Sequence, residues 1–421
     1  MFEMVEIEQK FVAGKIEDLK QNIDRELRQY LPVDTLPPKA QIAVTAGSRG
    51  IANIAEILRI VVARLKEMGL APFLVPAMGS HGGATAEGQV EVLRHLGITE
   101  TSVGAQIRSS MEVEQIAVTP KGVPVYMDKN AYHADGIIVV NRVKAHTAFR
   151  GSVESGLSKM VTIGLGKIKG ATYVHRHGAL RMAENIEEVC ATALHHAPIL
   201  MGLAILENGY DETADIVGIH PRDWFEKESE LLRQSKEMMP SLPIENIDLL
   251  IVEEMGKIYS GTGMDPNIIG RWRIEGVPEP ESPQIKRIAV LDLAEQSFGN
   301  AQGVGLADFT TQQLVDRMDP KATYTNALTS TYLQRAMLPL IYPTEKEAIE
   351  TALRSLGPQT DHQSVKAIQI PNTLHLHRLY VSPPVLQEME QSAREFQVHG
   401  RHVLSFDENG VIAKKLTAGE D

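Results

Sequence analysis

Short apolar runs alternate along the first half of the chain with segments whose apolar residues recur at helical spacing. Gln41–Ala46 (QIAVTA) reads as a strand, Gly47–Gly50 (GSRG) as the loop after it, and Ile51–Met68 as a helix. In that helix Ile54, Ile57, Leu58, Val61, Val62 and Leu65 form one stripe, the 3.6-residue period of a helix packed on one side. Gly69 supplies its stop. The same order then recurs. Ala71–Pro76 is a strand, Gly79–Ala84 (GSHGGA) a loop, and Thr85 caps a helix to about Leu96, ended by Gly97. Gly136–Asn141 (GIIVVN) is apolar without alternation, as a strand covered on both faces is. After Pro240–Pro243 the pattern restarts, with strands at Asp248–Glu253, Ile288–Leu293, Lys366–Ile370 and Leu379–Ser382 and a helix over Phe309–Met318. The alternation predicts two α/β domains, residues 1–245 and 246–421, with an active-site cleft between them. The last segment, His402–Ile412, is free to pack back on either domain, the first included.

Composition narrows the function classes. The 421 residues leave room for two or three domains at roughly 150 residues each. A 43% hydrophobic and 23% charged content is that of a globular protein. The net charge of −12 argues against general nucleic-acid binding, which needs a basic footprint. Cys190 is the single cysteine, so no internal disulfide forms, which fits a reducing compartment. The first ten residues carry Glu3, Glu6 and Glu8, unlike a signal peptide. No run approaches the ~20 apolar residues of a membrane helix. These features predict a cytoplasmic protein with no nucleic-acid or membrane partner.

Three loops combine glycine with reactive side chains. Gly47–Gly50 lies between strand and helix and carries Ser48 and Arg49, a place where backbone N–H groups and a guanidinium meet phosphate or carboxylate. Gly79–Thr85 carries His81 at a strand end, and an imidazole there suits acid–base work near neutral pH. The third, Asn141–Gly178, holds Arg142, Lys144, His146, Arg150, Lys159, Lys167, Lys169, His175, Arg176 and His177 among glycines. In an acidic chain this concentration of bases reads as an anionic pocket with histidines in it. An HExxH motif, paired cysteine ligands, a Walker A loop and a GxSxG elbow are all missing from the sequence. The His375–His377 pair (HLH), beside a terminal strand, reads as structural.

His81 in GSHGG, then Lys144 and His146, then SGLSKM, then a histidine after GLGKIKGA together resemble the nickel-dependent lactate racemase family. The resemblance covers most of the chain and is strongest from Gly47 to Gly178. It implies a nickel-pincer nucleotide, a pyridinium mononucleotide that carries nickel on two sulfur arms and a ring carbon. It further implies Lys159 as covalent tether, His175 as nickel ligand, and His81 and His146 as the catalytic pair. Arg49 would lie near the cofactor phosphate or the substrate, and Ser48 and Lys144 would join it in binding the cofactor. His175 is preferred to His177 because its spacing from Lys159 fits the family. The chain departs from the family in the longer interval between His146 and Lys159. It departs again at Gly263–Arg271 (GMDPNIIGR), where Asp265, Asn267 and Arg271 stand in place of a tyrosine and a lysine. Arg150, Asn267 and Arg271 are the candidate substrate-binding residues, and a sugar acid joins lactate as a candidate substrate.

What the resemblance implies is an isomerase, a racemase or epimerase inverting C2 of a 2-hydroxy acid by proton-coupled hydride transfer. A pyridinium ring accepts the C2 hydrogen as hydride, while one histidine takes the hydroxyl proton. Proteins that build the cofactor would be partners. Two other functions use the same residues. A nicotinamide-type 2-hydroxyacid oxidoreductase would release its keto acid, although no GxGxxG follows a strand. A non-catalytic nucleotide- or hydroxyacid-binding protein would turn nothing over.

Overall fold

The computed structural model describes residues 2–176, 178–358, 361 and 363–417. The chain divides into two compact units: Ala13–Met239, and Met1–Val12 together with Pro240–Asp421. Each is α/β. Among the described residues no helix is long and apolar enough to cross a membrane.

In the Ala13–Met239 unit five strands lie in the order Ala71–Pro76, Gln41–Ala46, Gly136–Arg142, Ile199–Glu207, Thr213–Ile219. The first four are parallel and the last is antiparallel. The sheet is buried on both faces, and alternate side chains serve two separate cores. Ala43, Phe73, Val75, Ile137 and Val139 pack with Leu157, Met160, Val161, Leu165 and Val174. Ile42, Val44, Leu74, Ile138 and Val140 pack with Ile57, Leu58, Val61 and Leu65. The chemistry-bearing segment around Lys159 therefore covers one face and the helix Ile54–Glu67 the other.

The second unit has eight strands, ordered Leu340–Tyr342, Phe309–Thr311, Gln284–Leu293, Asn246–Met255, Ala367–Ile370, Arg378–Val381, Glu3–Gln9, Phe396–Val403. The first five run parallel and the remainder pair antiparallel.

The structure differs from the sequence expectations in identifiable ways. The N-terminal residues pair as a strand with Arg378–Val381, Glu6 opposite Tyr380, so they join the second unit rather than the first. The segment near His402 is the other neighbour of that strand, with Met4 opposite His402, and stays in the second unit too. The expected helix over Phe309–Met318 is a three-residue strand followed by the helix Gln312–Asp316. Thr311 stops the strand and caps the helix by accepting the Leu314 N–H at 3.1 Å. The helix expected from Ile51 starts at Ile54, because Asn53 is left-handed and the Ala52 N–H is held by the Glu207 carboxylate at 2.6 Å. Gly47–Gly50 consequently does not open directly into that helix.

Lys167, read as part of an anionic pocket, is wholly buried. Its Nζ lies 3.3 Å from Asp128, donates to the Gln89 side chain at 3.0 Å and donates to the Pro76 carbonyl. Lys167→Met is expected to cost about 3–5 kcal/mol, the usual effect of breaking a buried pair. Denaturant unfolding checks this, and Lys167→Met with Asp128→Leu should recover much of the loss. A single variant as stable as wild type would show that the pair holds nothing.

Candidate active site

Each candidate residue of the first unit is delivered by a strand end or by the helical segment that covers the sheet. After the strand Ala71–Pro76 the chain makes a tight turn through Gly79, Gly82 and Gly83, all at positive φ. A Cβ on Gly82 would lie 2.5 Å from the Gly88 backbone, so the turn closes on the helix Ala86–His95 only with glycine there. Thr85 caps that helix as the sequence predicts, accepting the Gly88 N–H at 3.0 Å. The Gln89 amide bonds the carbonyls of Gly79 at 3.0 Å and His81 at 3.4 Å. His81 is thereby fixed on the exposed side, with its Nδ1 hydrogen-bonded to the Ser48 hydroxyl. A hydroxyl gives or takes a hydrogen bond by rotation, so it suits a ring that alternates between acid and base.

The loop after Gly136–Arg142 is closed by backbone bonds between Lys144 and Ser155, at 2.7 and 3.2 Å. Glu154, buried inside it, accepts the His146 N–H at 2.7 Å. It also meets Lys236 at 2.7 Å and Arg150 at 3.4 Å. Arg150 donates to the His146 carbonyl at 2.7 Å and the Phe149 carbonyl at 3.2 Å, so this candidate substrate binder is tied into the loop. The His146 ring stacks on Phe149, centroids 4.2 Å apart. Its Nε2 is 2.7 Å from Lys159 Nζ.

The second half of the expected polar loop is helical. It runs as a short helix Leu157–Lys159, a π turn Met160–Gly164 and a helix Lys167–His175. The glycines that suggest a loop serve close packing instead. A Cβ on Gly164 would lie 2.7 Å from the Ala77 carbonyl, against the His81 turn. Lys159 stands immediately before the π turn, a distortion that recurs at functional sites. His175 is the last residue of the segment, and its Nδ1 donates to the Ala171 carbonyl at 2.6 Å. His177 lies outside the described residues.

Hydrogen bonding assigns the tautomers. A carbonyl only accepts, so His175 carries its proton on Nδ1 and presents a lone pair on Nε2. Desolvation, and secondarily the Lys159 charge, hold its pKa below the usual histidine value. The Ala148 N–H reaches His146 Nδ1 at 3.1 Å, which puts the proton of the neutral ring on Nε2. The Nε2–H then needs a neutral amine as acceptor. Desolvation, followed by repulsion from Arg49 and Lys144, lowers Lys159 from 10.5 to about 7. An amine poised near neutrality is a nucleophile.

These contacts bring Ser48 to His81 and His146 to Lys159, with Arg49 and Lys144 close enough to act on the Lys159 charge. Asn267 and Arg271 belong to the second unit. Asn267 bonds Asp265 through its backbone and side-chain nitrogens, both at 2.9 Å. Arg271 pairs with Asp308 at 2.8 Å and donates to the carbonyls of Leu306, Ile285 and Lys286. That set of partners gives Arg271 a bracing role. His375 sits beside Asn372 at 3.2 Å and Tyr259. Among the described residues no three His, Cys, Asp or Glu side chains converge as a metal site.

Three glutamates at the site, Glu154 and Glu228 buried and Glu207 part-buried, are not singled out by sequence reasoning. Glu154 and Glu207 hold backbone N–H groups of the His146 and Arg49 loops. Glu228, on the helix Trp224–Met238, accepts the Ser158 N–H with both oxygens at 3.1 Å and bonds the Ser158 hydroxyl at 2.5 Å. The available signal is its place on the stripe of Trp224, Leu231 and Leu232, where a carboxylate interrupts an apolar face.

The fold is that of a two-unit α/β protein whose first unit carries the candidate site. Residues 16–188 match the family model of the lactate racemase N-terminal domain. The chain's fold is similar to that of the lactate racemase apoprotein from Thermoanaerobacterium thermosaccharolyticum, at 12% identity and a TM-score of 0.50, covering 89% of this chain and 99% of that one. A Thermotoga maritima protein matches at 11% identity and a TM-score of 0.44, covering 76% and 81%. No curated protein matches the chain.

Proposed function

We propose that the chain is a racemase or epimerase inverting C2 of a 2-hydroxy acid, lactate or a larger sugar acid, with a nickel-pincer nucleotide as cofactor. The observation that carries this reading is the pair His146 and Lys159, 2.7 Å apart, with a second histidine, His81, on a separate strand-end loop of the same unit. The donor set fits the cofactor. A metal that arrives with its own sulfur and carbon ligands needs one protein donor, and His175 presents a neutral Nε2 for it. Lys159 supplies an amine for the tether. Arg49, Ser48 and Lys144 supply charge and hydrogen bonds for a phosphate. When bound, the pyridinium would accept and return the C2 hydrogen as hydride.

The chain's own part is proton transfer. One histidine takes the hydroxyl proton of the substrate as the C2–H bond breaks, and the other does so for the mirror-image substrate. With the Lys159 nitrogen holding the cofactor it would no longer be basic, and His146 Nε2 would be free to serve the substrate. Proteins that make the cofactor are the partners this reading requires.

Incubating the loaded protein with one enantiomer in D₂O tests it. The expected result is inversion with protium kept at C2 and no net keto acid. Deuterium at C2 would mean proton abstraction from carbon. Keto acid accumulating only with added nicotinamide cofactor would make the protein an oxidoreductase.

A further inference from the structure

The helix Trp224–Met238 lies beyond the residues that match the family model, yet two of its side chains bond Ser158 and Glu154, the residues that adjoin Lys159 and hold the His146 N–H. Glu228 is 1% exposed and grips the start of the Lys159 segment through the N–H and hydroxyl of Ser158. Trp224, one turn earlier, donates from its indole to the same hydroxyl at 3.1 Å. The fit is tight, since a Cβ on Gly156 would lie 2.1 Å from the Glu228 carboxylate. Two turns further on, Lys236 holds Glu154 at 2.7 Å, and Glu154 holds the His146 N–H at 2.7 Å. One helix thus pins both members of the pair, each through a single intermediary.

We propose that Glu228 and Lys236 are positioning residues, which set the Lys159 amine against His146 Nε2 before any cofactor is bound. The inference rests on Lys159 and His146 being the working groups, as above. Each pin stiffens its target through hydrogen bonds to backbone, where a small displacement changes the reactive geometry. A carboxylate near a neutral pKa at this depth, with Glu228 pushed up by burial to about 7, is retained despite its desolvation cost. The three contacts with the N–H and hydroxyl of Ser158 supply the compensation.

The test uses the full chain without cofactor. The pH profile of Lys159 modification by an amine reagent, read by peptide mass spectrometry, should have a midpoint near 7 in the wild type. In Glu228→Gln the midpoint should rise by about one unit, a tenfold change in proton affinity, as the freed amine gains water and retreats from Arg49 and Lys144. Loss of a nearby negative charge alone would move it down, so the direction separates positioning from simple electrostatics. An unchanged or lowered midpoint in the folded variant overturns the proposal for Glu228. Should Glu228→Gln not fold, Ser158→Ala gives the same reading. Lys236, part-exposed, is tested by ¹⁵N resonances of the His146 ring. Lys236→Met should erase the preference for the Nε2–H tautomer and Lys236→Arg restore it. A wild-type spectrum in Lys236→Met overturns its role. Neither readout involves turnover, so a failure of the racemase reading would be seen separately.

Discussion

Alanine at His81 or at His146 is expected to lower inversion of either enantiomer by ~10²–10⁴, the usual contribution of a positioned acid–base group. Chiral chromatography of product from the loaded enzyme measures it. Under the proposed mechanism both directions fail in each variant, because each inversion would use both histidines, one to accept the hydroxyl proton and one to return it. The half-reactions should part company. With His81→Ala, the enantiomer served by His146 still yields one equivalent of keto acid in a single turnover, and with His146→Ala the other one does. The surroundings of the two rings make them unequal. His81 Nδ1 faces a hydroxyl that takes either role, whereas the Ala148 N–H on His146 Nδ1 favours the tautomer with its proton on Nε2. To act as a base at Nε2, His146 must give up that contact. The half-reaction served by His146 should therefore be the slower in the wild type. Equal half-reactions from both enantiomers in both variants would remove the two-base assignment while leaving the match of residues 16–188 to the family model untouched.

Which parts of this site are legible in sequence follows from how local their causes are. Gln41–Ala46 and Ala71–Pro76 keep the boundaries expected of them because an unbroken apolar run between polar neighbours has one burial solution. Thr85 caps its helix as expected because the bond is made three residues away. The Lys159 segment misleads because its glycines answer to close approach by Ala77 and Thr162, partners remote in sequence or across a helical turn. Arg150 and Lys167 mislead for an electrostatic reason. A basic residue reads as pocket lining until the acid that claims it is known. Their acids, Glu154 and Asp128, lie four and thirty-nine residues away with no pattern to announce them. The N-terminal strand is the extreme case. Its pairing of Glu6 with Tyr380 spans nearly the whole chain, and nothing in the first ten residues specifies that partner.

Lys159→Ala is expected to abolish covalent retention of the cofactor, and His175→Ala to lower nickel content, both in folded protein. Intact mass after denaturation and desalting reads the first, and elemental analysis reads the second. The chemistry of the tether adds a pH signature. Only the neutral amine attacks, and with Lys159 lowered to about 7 its neutral fraction rises about tenfold from pH 6 to pH 8. Tethering by the chain should accelerate over that window and level off above it. An ordinary lysine would keep accelerating toward 10.5. The same shift has a sign for folding. The unfolded chain binds the proton more tightly between about 7 and 10.5, so charging Lys159 opposes the fold at low pH, and this penalty is relieved as pH rises through that window. Burial is the main cause of the shift and Arg49 and Lys144 add to it, so neutralising either, as in Lys144→Met, should move the tethering midpoint upward. A full complement of adduct in Lys159→Ala would transfer the tether to another residue. Wild-type nickel in His175→Ala would take the metal away from this imidazole, and with it the reading of its Nε2 as the donor held ready by Ala171.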